Sequence, residues 1–153
     1  MELNPIGVIR TPFKTKEDCP IQPVFAKKAT GQVTVFPEFI PGLKDIEMFS
    51  HIYLLYSFDR AGKIVLQRST FLDEVPHGIY ASRHPCRPNG IGISIVTLVK
   101  IKKAIFTVQG IDVLDKTPLL DIKPYIPRFD CFPEASEGWT VDKAWQGKPS
   151  GRE

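Results

Sequence analysis

At 153 residues the chain has room for one domain with a real core and too little for two comfortable ones. With 42% apolar and 24% charged residues its composition is that of an ordinary soluble globular protein, and a formal charge of +3 tolerates an RNA partner without demanding one. No apolar stretch approaches the roughly 20 residues of a membrane span. The start, Met1-Glu2-Leu3-Asn4-Pro5, lacks a basic segment followed by an apolar run. Three isolated cysteines, Cys19, Cys86 and Cys131, point to a reducing compartment, so a cytoplasmic location without a membrane partner is expected.

Residues 6–9 are a short apolar run ended by Arg10-Thr11-Pro12 and read as a first strand. Residues 14–29 are polar and carry Pro20 and Pro23, as a loop does. Residues 32–36 alternate polar and apolar, the pattern of a half-buried strand. After Pro41-Gly42, the residues Leu43, Ile46 and Phe49 fall at helical spacing and predict a short helix. Residues 51–58 are aromatic or aliphatic on both faces, which predicts a strand near the middle of a sheet. The stretch 59–76 is ambiguous, and 78–81 reads as a short strand. Residues 93–101 and 104–113 are rich in β-branched side chains, with Lys102-Lys103 between them as a hairpin turn. Pro118 and Pro127 bound a run with a strand-like Leu119-Leu120-Asp121-Ile122. The tail after Phe132 carries Trp139 and Trp145 and room for one short helix. Many short strands without alternating long helices predict a mainly β fold, a barrel or sandwich, and not a Rossmann-like sheet.

Two clusters are candidates for chemistry. In Arg83-His84-Pro85-Cys86-Arg87-Pro88-Asn89-Gly90-Ile91-Gly92, prolines stiffen a loop, glycines admit a ligand to the backbone, and two arginines offer forks for a carboxylate or phosphate. The plain alternative is a surface turn with solvated arginines. In the second cluster Asp112, Asp115 and Asp121 lie among apolar residues. Asp112 and Asp121 could each point into a cavity if the strand register allows, and Asp115 could instead bond its own backbone in a turn. No metal site is expected, because His51, His77, His84 and the cysteines lack paired ligand spacings. The pair Gly90-x-Gly92 is not followed by a helical pattern, so it is no dinucleotide fingerprint.

Three segments in this order, Pro5-Ile6-Gly7-Val8-Ile9-Arg10-Thr11-Pro12-Phe13, residues 83–94 and residues 112–127, resemble the TsaA-like, or TrmO-like, family of tRNA adenosine N6-methyltransferases. The resemblance covers nearly the whole chain up to about Pro127. It implies a single small β-barrel with short helices over residues 1–130, a partly ordered tail over 131–153, and a homodimer. It implies S-adenosylmethionine as methyl donor, and methylation of threonylcarbamoyladenosine beside the anticodon of threonine tRNA. By motif it carries over donor contacts to Gln22, Pro23, Val24 and Phe25, to Asp59 and Arg60, to Arg87, to Thr97, and to the turn Val113-Leu114-Asp115-Lys116. Asp121 and Tyr125 become candidates for substrate positioning or proton removal, and Arg83, Lys123 and Arg128 for RNA phosphates. This chain departs from common relatives, which have Asn-Pro-Ile-Gly where it has Asn89-Gly90-Ile91-Gly92 and Gly where Lys116 stands. Many bacterial members also carry a C-terminal extension. Rival readings are a methyltransferase of the same fold acting on a small molecule, and a non-catalytic barrel that binds RNA or a protein.

Overall fold

The structure, a computed structural model, describes residues 2–144; Trp145 and the rest of the tail lie outside the described residues, as do the side chains of Val24 and Phe25. In chain order the strands are β1 (Gly7–Arg10), β2 (Thr30–Val35), β3 (His51–Ser57), β4 (Gln67–Arg68), β5 (His77–Gly78), β6 (Ile91–Lys102), β7 (Ile105–Gln109) and β8 (Thr117–Pro124). Six of them close into an antiparallel barrel in the order β1-β2-β7-β6-β3-β8, with β8 pairing back onto β1. Closure leaves no open sheet edge to protect. β4 and β5 form a separate two-stranded ribbon.

The barrel forms because alternate residues of each strand are apolar and point inward. Ile9, Val33, Val35, Ile52, Leu54, Tyr56, Val96, Phe106, Val108 and Leu119 make a continuous core. The expected central strand is central: β3 hydrogen-bonds β6 on one side and β8 on the other. The expected β6–β7 hairpin is present, and Lys103 takes its turn at a φ of 56°.

Several local expectations change. The helical spacing at Leu43, Ile46 and Phe49 becomes two 3-10 turns, Pro37–Leu43 and Ile46–Met48, because Pro41 cannot donate and Asp45 turns left-handed at a φ of 69°. The strand expected over 78–81 is β5 plus a 3-10 turn, Ile79–Ala81. The strand expected over 104–113 stops at Gln109, where Gly110 turns with a φ of 83°. A four-residue helix α1 (Pro127–Asp130) precedes the tail, and the tail packs on the β4–β5 segment through Trp139, whose ring stacks on His77 at 3.9 Å and whose indole N–H donates to the Ala81 carbonyl at 2.8 Å.

One topological consequence positions everything that follows. In an antiparallel barrel, alternate connections emerge at opposite rims. The connections β1–β2 (11–29), β3–β6 (58–90, carrying β4 and β5) and β7–β8 (110–116) therefore share one rim.

Candidate active site

Of the donor contacts implied by resemblance, all but Thr97 fall in those three connections. Gln22 to Phe25 lie in the first, Asp59, Arg60 and Arg87 in the second, and Val113 to Lys116 in the third. Three loops distant in sequence thus meet at one rim.

Asp115 ties the first and third loops together. Its carboxylate accepts from the Thr11 amide at 3.0 Å and from Lys14 Nζ at 2.6 Å, and its amide donates to the Phe13 carbonyl at 2.8 Å. The Lys14 ammonium holds the Asp115 carboxyl below its ordinary range, with the Thr11 amide adding to it against partial desolvation. Asp115 therefore clamps the β1–β2 loop rather than bonding its own backbone. Arg60 adds the second loop. Its guanidinium donates to the Asp115 carbonyl at 2.8 Å, to Thr117 Oγ1 at 2.9 Å and to Asp59 Oδ1 at 3.1 Å. The Val113 carbonyl accepts from Thr11 Oγ1, and the Leu114 carbonyl from Thr117 Oγ1. Lys116 has a φ of 64°, the left-handed conformation for which glycine is the unstrained choice, so the lysine keeps the turn at some cost in backbone strain.

The Arg87 loop lies against the Asp59–Arg60 segment. The Phe58 amide donates to the Gly90 carbonyl at 2.7 Å, and the Val65 amide to the Cys86 carbonyl at 3.1 Å. Arg87 donates to the Ser82 carbonyl at 2.9 Å, and its guanidinium stands over the Tyr80 ring. Gly90 has a φ of 55°, which proline cannot adopt, so the loop as folded here requires a residue other than proline at this position. Arg83, expected at RNA phosphates, donates to Gln22 Oε1 at 2.8 Å and joins the second loop to the first. Gln22 immediately precedes the 3-10 turn Pro23–Ala26.

Asp121, Tyr125 and Thr97 are placed elsewhere. Tyr56 pairs with Leu119 but Leu55 with Asp121, so Leu120 is an extra residue in β8. This bulge reverses the alternation, turning Asp121 to the outer wall beside Leu55 while Ile122 joins the core. The Asp121 side chain is 45% exposed and pairs with Lys123 Nζ at 3.0 Å. The expectation that Asp121 points into a cavity is thereby corrected. Tyr125 packs its ring 5.6 Å from Tyr53 and 6.3 Å from His51, and partial desolvation, with Cys131 and Asp130 nearby, raises its hydroxyl. Thr97 Oγ1 lies 3.3 Å from His51 Nε2 on the same outer wall. Arg128 stands over Phe129 in α1.

The carboxylate that does reach inward is Asp112. It hydrogen-bonds Ser94, whose hydroxyl lies 3.0 Å from the Tyr56 hydroxyl. Desolvation dominates its environment and pushes the carboxyl up to about 7, against the Ser94 bond and the field of Arg83. Its backbone carbonyl accepts from Cys19 Sγ. Lys14 and Thr11 were not singled out by the sequence pattern; they lie about a hundred positions from Asp115, and nothing local signals the contact.

The chemistry of the rim suits S-adenosylmethionine. Arg87 uses one guanidinium nitrogen on the Ser82 carbonyl, and the half-exposed Asp59 carboxylate accepts from Arg60 through one oxygen, so the loops bring cationic and anionic groups to the rim for a ligand that carries a carboxylate, an ammonium and ribose hydroxyls.

Residues 8–131 match the family model described as tRNA-methyltransferase O N-terminal domain. A probable S-adenosyl-L-methionine-binding protein of Pyrococcus abyssi is 50% identical over 97% of this chain and 83% of its own length. The tRNA (adenine(37)-N6)-methyltransferase of Escherichia coli is 30% identical over 90% of this chain and 63% of its own length. The crystal structure of TrmO from Pseudomonas aeruginosa aligns with a TM-score of 0.76 at 37% identity, covering 91% of this chain and 62% of that one. The chain thus spans most of the archaeal relative but only about three fifths of the bacterial ones. On the match over residues 8–131 and the barrel it shares with these proteins, the chain belongs to the tRNA-methyltransferase O N-terminal domain family.

Proposed function

We propose that this chain is an S-adenosylmethionine-dependent tRNA methyltransferase that methylates the exocyclic nitrogen of threonylcarbamoyladenosine next to the anticodon of threonine tRNA. The observation that carries the reading is the meeting of three loops at one rim, where Arg60 joins Asp59 to the Asp115 turn and the loop that carries Arg87 bonds Phe58 and Val65 on either side of them. Relatives over the same residues carry names for S-adenosyl-L-methionine binding and for tRNA adenine methylation.

Gln22, Pro23, Asp59, Arg60, Arg87 and the 113–116 turn would hold the donor, which supplies an activated methyl group on a sulfonium. What remains for the protein is placement, and most of the rate in such a transfer comes from holding the acceptor nitrogen in line. Arg60 and Asp115 fix the relative position of the three loops, and so the shape of the donor cradle. Removal of the proton from the nitrogen falls to water or to a base on the acceptor side, for which Asp121 is the proposed group, and Tyr125, whose hydroxyl stays protonated, is proposed to position the acceptor. Arg83, Lys123 and Arg128 are the proposed phosphate contacts.

A homodimer is part of the proposal. Ile91, Ile93 and Ile95 point outward from β6 and are exposed, an apolar wall beside Tyr53 and Leu55 that a second copy would cover. Facing the rim of one copy with this wall of the other would unite Thr97, Asp121 and Tyr125 with the donor loops. Among the described residues no helix is long and apolar enough to cross a membrane, and the proposed location is the cytoplasm, where tRNA is modified. The test is mass spectrometry of nucleosides from tRNA incubated with protein and donor. A methyl group gained on threonylcarbamoyladenosine supports the proposal. Unchanged nucleosides from tRNA that carries the modified base would sink it.

A further inference from the structure

Tyr80 is an exposed aromatic on an immobile base. The residue is 73% exposed, yet its neighbour Ile79 is 1% exposed and part of the interior. The turn beneath the ring is tied from several directions. The Ile79 amide donates to the Leu66 carbonyl at 2.9 Å, and the Ile79 carbonyl accepts from the Ser82 amide and hydroxyl. The Ala81 carbonyl accepts from the Trp139 indole, and the Ser82 carbonyl from Arg87. Every residue flanking Tyr80 is thus fixed, while the ring itself projects into solvent. The ring presents a large, rigid apolar face to water on a backbone whose hydrogen bonds hold it outward, the arrangement of a side chain placed to meet a partner.

The cation above it narrows the partner's chemistry. The Arg87 guanidinium carbon lies 6.0 Å from the ring centroid, at the outer limit of cation–π contact. An aromatic face with a guanidinium beside it is the arrangement on which unpaired bases stack, because a base has a π face of its own and its phosphate is anionic. Arg83 stands three residues along the same loop. A protein partner would be served by an apolar patch, whereas this ring has the Arg87 guanidinium over it.

We propose that Tyr80, with Arg87 over it, is a stacking platform for a nucleobase of the RNA substrate, beside the donor cradle. This rests on the RNA reading given above. Arg87 belongs to the donor loop by resemblance, so a base on Tyr80 lies next to the methyl donor, where an acceptor base or its neighbour must come. A nucleobase has two sources here, the RNA and the adenine of the donor itself, and the structure of the test separates them.

The full chain is titrated with an anticodon stem-loop RNA by fluorescence anisotropy and with S-adenosylhomocysteine by calorimetry. Tyr80→Ala is expected to weaken RNA binding roughly tenfold or more, the scale of one lost stacked base. Tyr80→Leu, which keeps bulk and drops the π face, is expected to lose as much and guards against a folding defect peculiar to Ala. Tyr80→Phe and Tyr80→Trp keep a stacking face and are expected to bind RNA within about threefold of wild type. S-adenosylhomocysteine affinity stays unchanged in all four. Wild-type RNA affinity in Tyr80→Ala and Tyr80→Leu overturns the proposal. So does a loss of S-adenosylhomocysteine affinity with RNA binding intact, which assigns the ring to the donor's adenine. A wild-type chain that binds S-adenosylhomocysteine but no RNA overturns the RNA reading itself, and this inference with it.

Discussion

Ser94, an inward-facing residue of β6, donates a hydrogen bond to the Asp112 carboxyl and shares another with the Tyr56 hydroxyl. An acid at about 7 that titrates near its ordinary value when unfolded binds its proton more tightly in the folded state. Its contribution to stability is therefore full below about pH 4, declines as pH rises, and is gone above about pH 7. Stability is expected to fall by about 1 kcal/mol per pH unit in the middle of that window, on top of the background of other groups. Chemical denaturation across roughly pH 4.5–7.5 should show this decline in wild type and a flatter profile in Asp112→Asn. Parallel profiles would remove Asp112 as its source.

Gly92 is required by the same network. A Cβ at this position would sit 2.2 Å from the Tyr56 ring and 2.8 Å from the Phe58 ring. Gly92→Ala is expected to destabilise the barrel by roughly 1–3 kcal/mol or more, as overpacking in a filled core does. Thermal melts read this directly; an unchanged melting temperature would mean that Tyr56 has room to move.

Lys14 offers a test of the loop clamp. The ion pair with Asp115 is at 2.6 Å, but the lysine side chain is 67% exposed, so solvent screens it. Lys14→Met should cost no more than about 1 kcal/mol of global stability. Donor affinity should fall further than that, because the Asp115 turn and the β1–β2 loop would no longer be held in register. Calorimetry alongside melting separates the two effects, and equal small losses would show that the clamp matters only for folding.

The strands that were legible in the sequence were those whose side chains announce two-sided or alternating burial. Residues 51–58 and the Lys102-Lys103 hairpin are of this kind. The closure of β8 onto β1 was not legible from pattern, because it joins Gly7 to Leu119 across most of the chain. The orientation of Asp121 misled for a definite reason: strict alternation holds only without insertions, and the bulge at Leu120 reverses it. Apolar neighbours on both sides made Asp121 look buried, whereas Asp112, after the break at Gly110, is the carboxylate held by Ser94. The resemblance named most of the rim residues; their mutual bonds, such as Arg60 to the Asp115 carbonyl, follow only from the fold.

The outer wall of β6 predicts assembly. Ile93 is exposed at the centre of the isoleucine row and its side chain takes no part in the core. Ile93→Asp is expected to convert a dimer to a monomer in sedimentation at micromolar concentration, with the barrel still folded by circular dichroism. A wild-type chain that sediments as a monomer and keeps its activity would refute the dimer.

Arg87, Asp121 and Tyr125 together test where the chemistry is assembled. Arg87→Ala should weaken S-adenosylmethionine binding by roughly 1–3 kcal/mol if its guanidinium makes a charge-assisted bond to the donor. Asp121→Asn and Tyr125→Phe should leave donor affinity intact and slow single turnover by at least about tenfold, or 1.4 kcal/mol, if they position the acceptor or take its proton. Asp121 is half-exposed and paired with Lys123, so its replacement by Asn should barely move the melting temperature. Within one chain these residues lie on the outer wall, away from the three donor loops, so a shared site has a consequence that a site within one chain lacks. When Arg87→Ala and Tyr125→Phe proteins, each impaired alone, are mixed and allowed to exchange subunits, half of the pairings would restore one complete site, and activity should rise above that of either variant. If both variants are impaired alone and stay so after exchange, each copy uses its own residues, and Tyr125 acts on its chain's own rim through the barrel. If Asp121→Asn and Tyr125→Phe turn over at the wild-type rate, the acceptor side lies elsewhere, and the loop from Arg83 to Asn89 becomes the place to look for it.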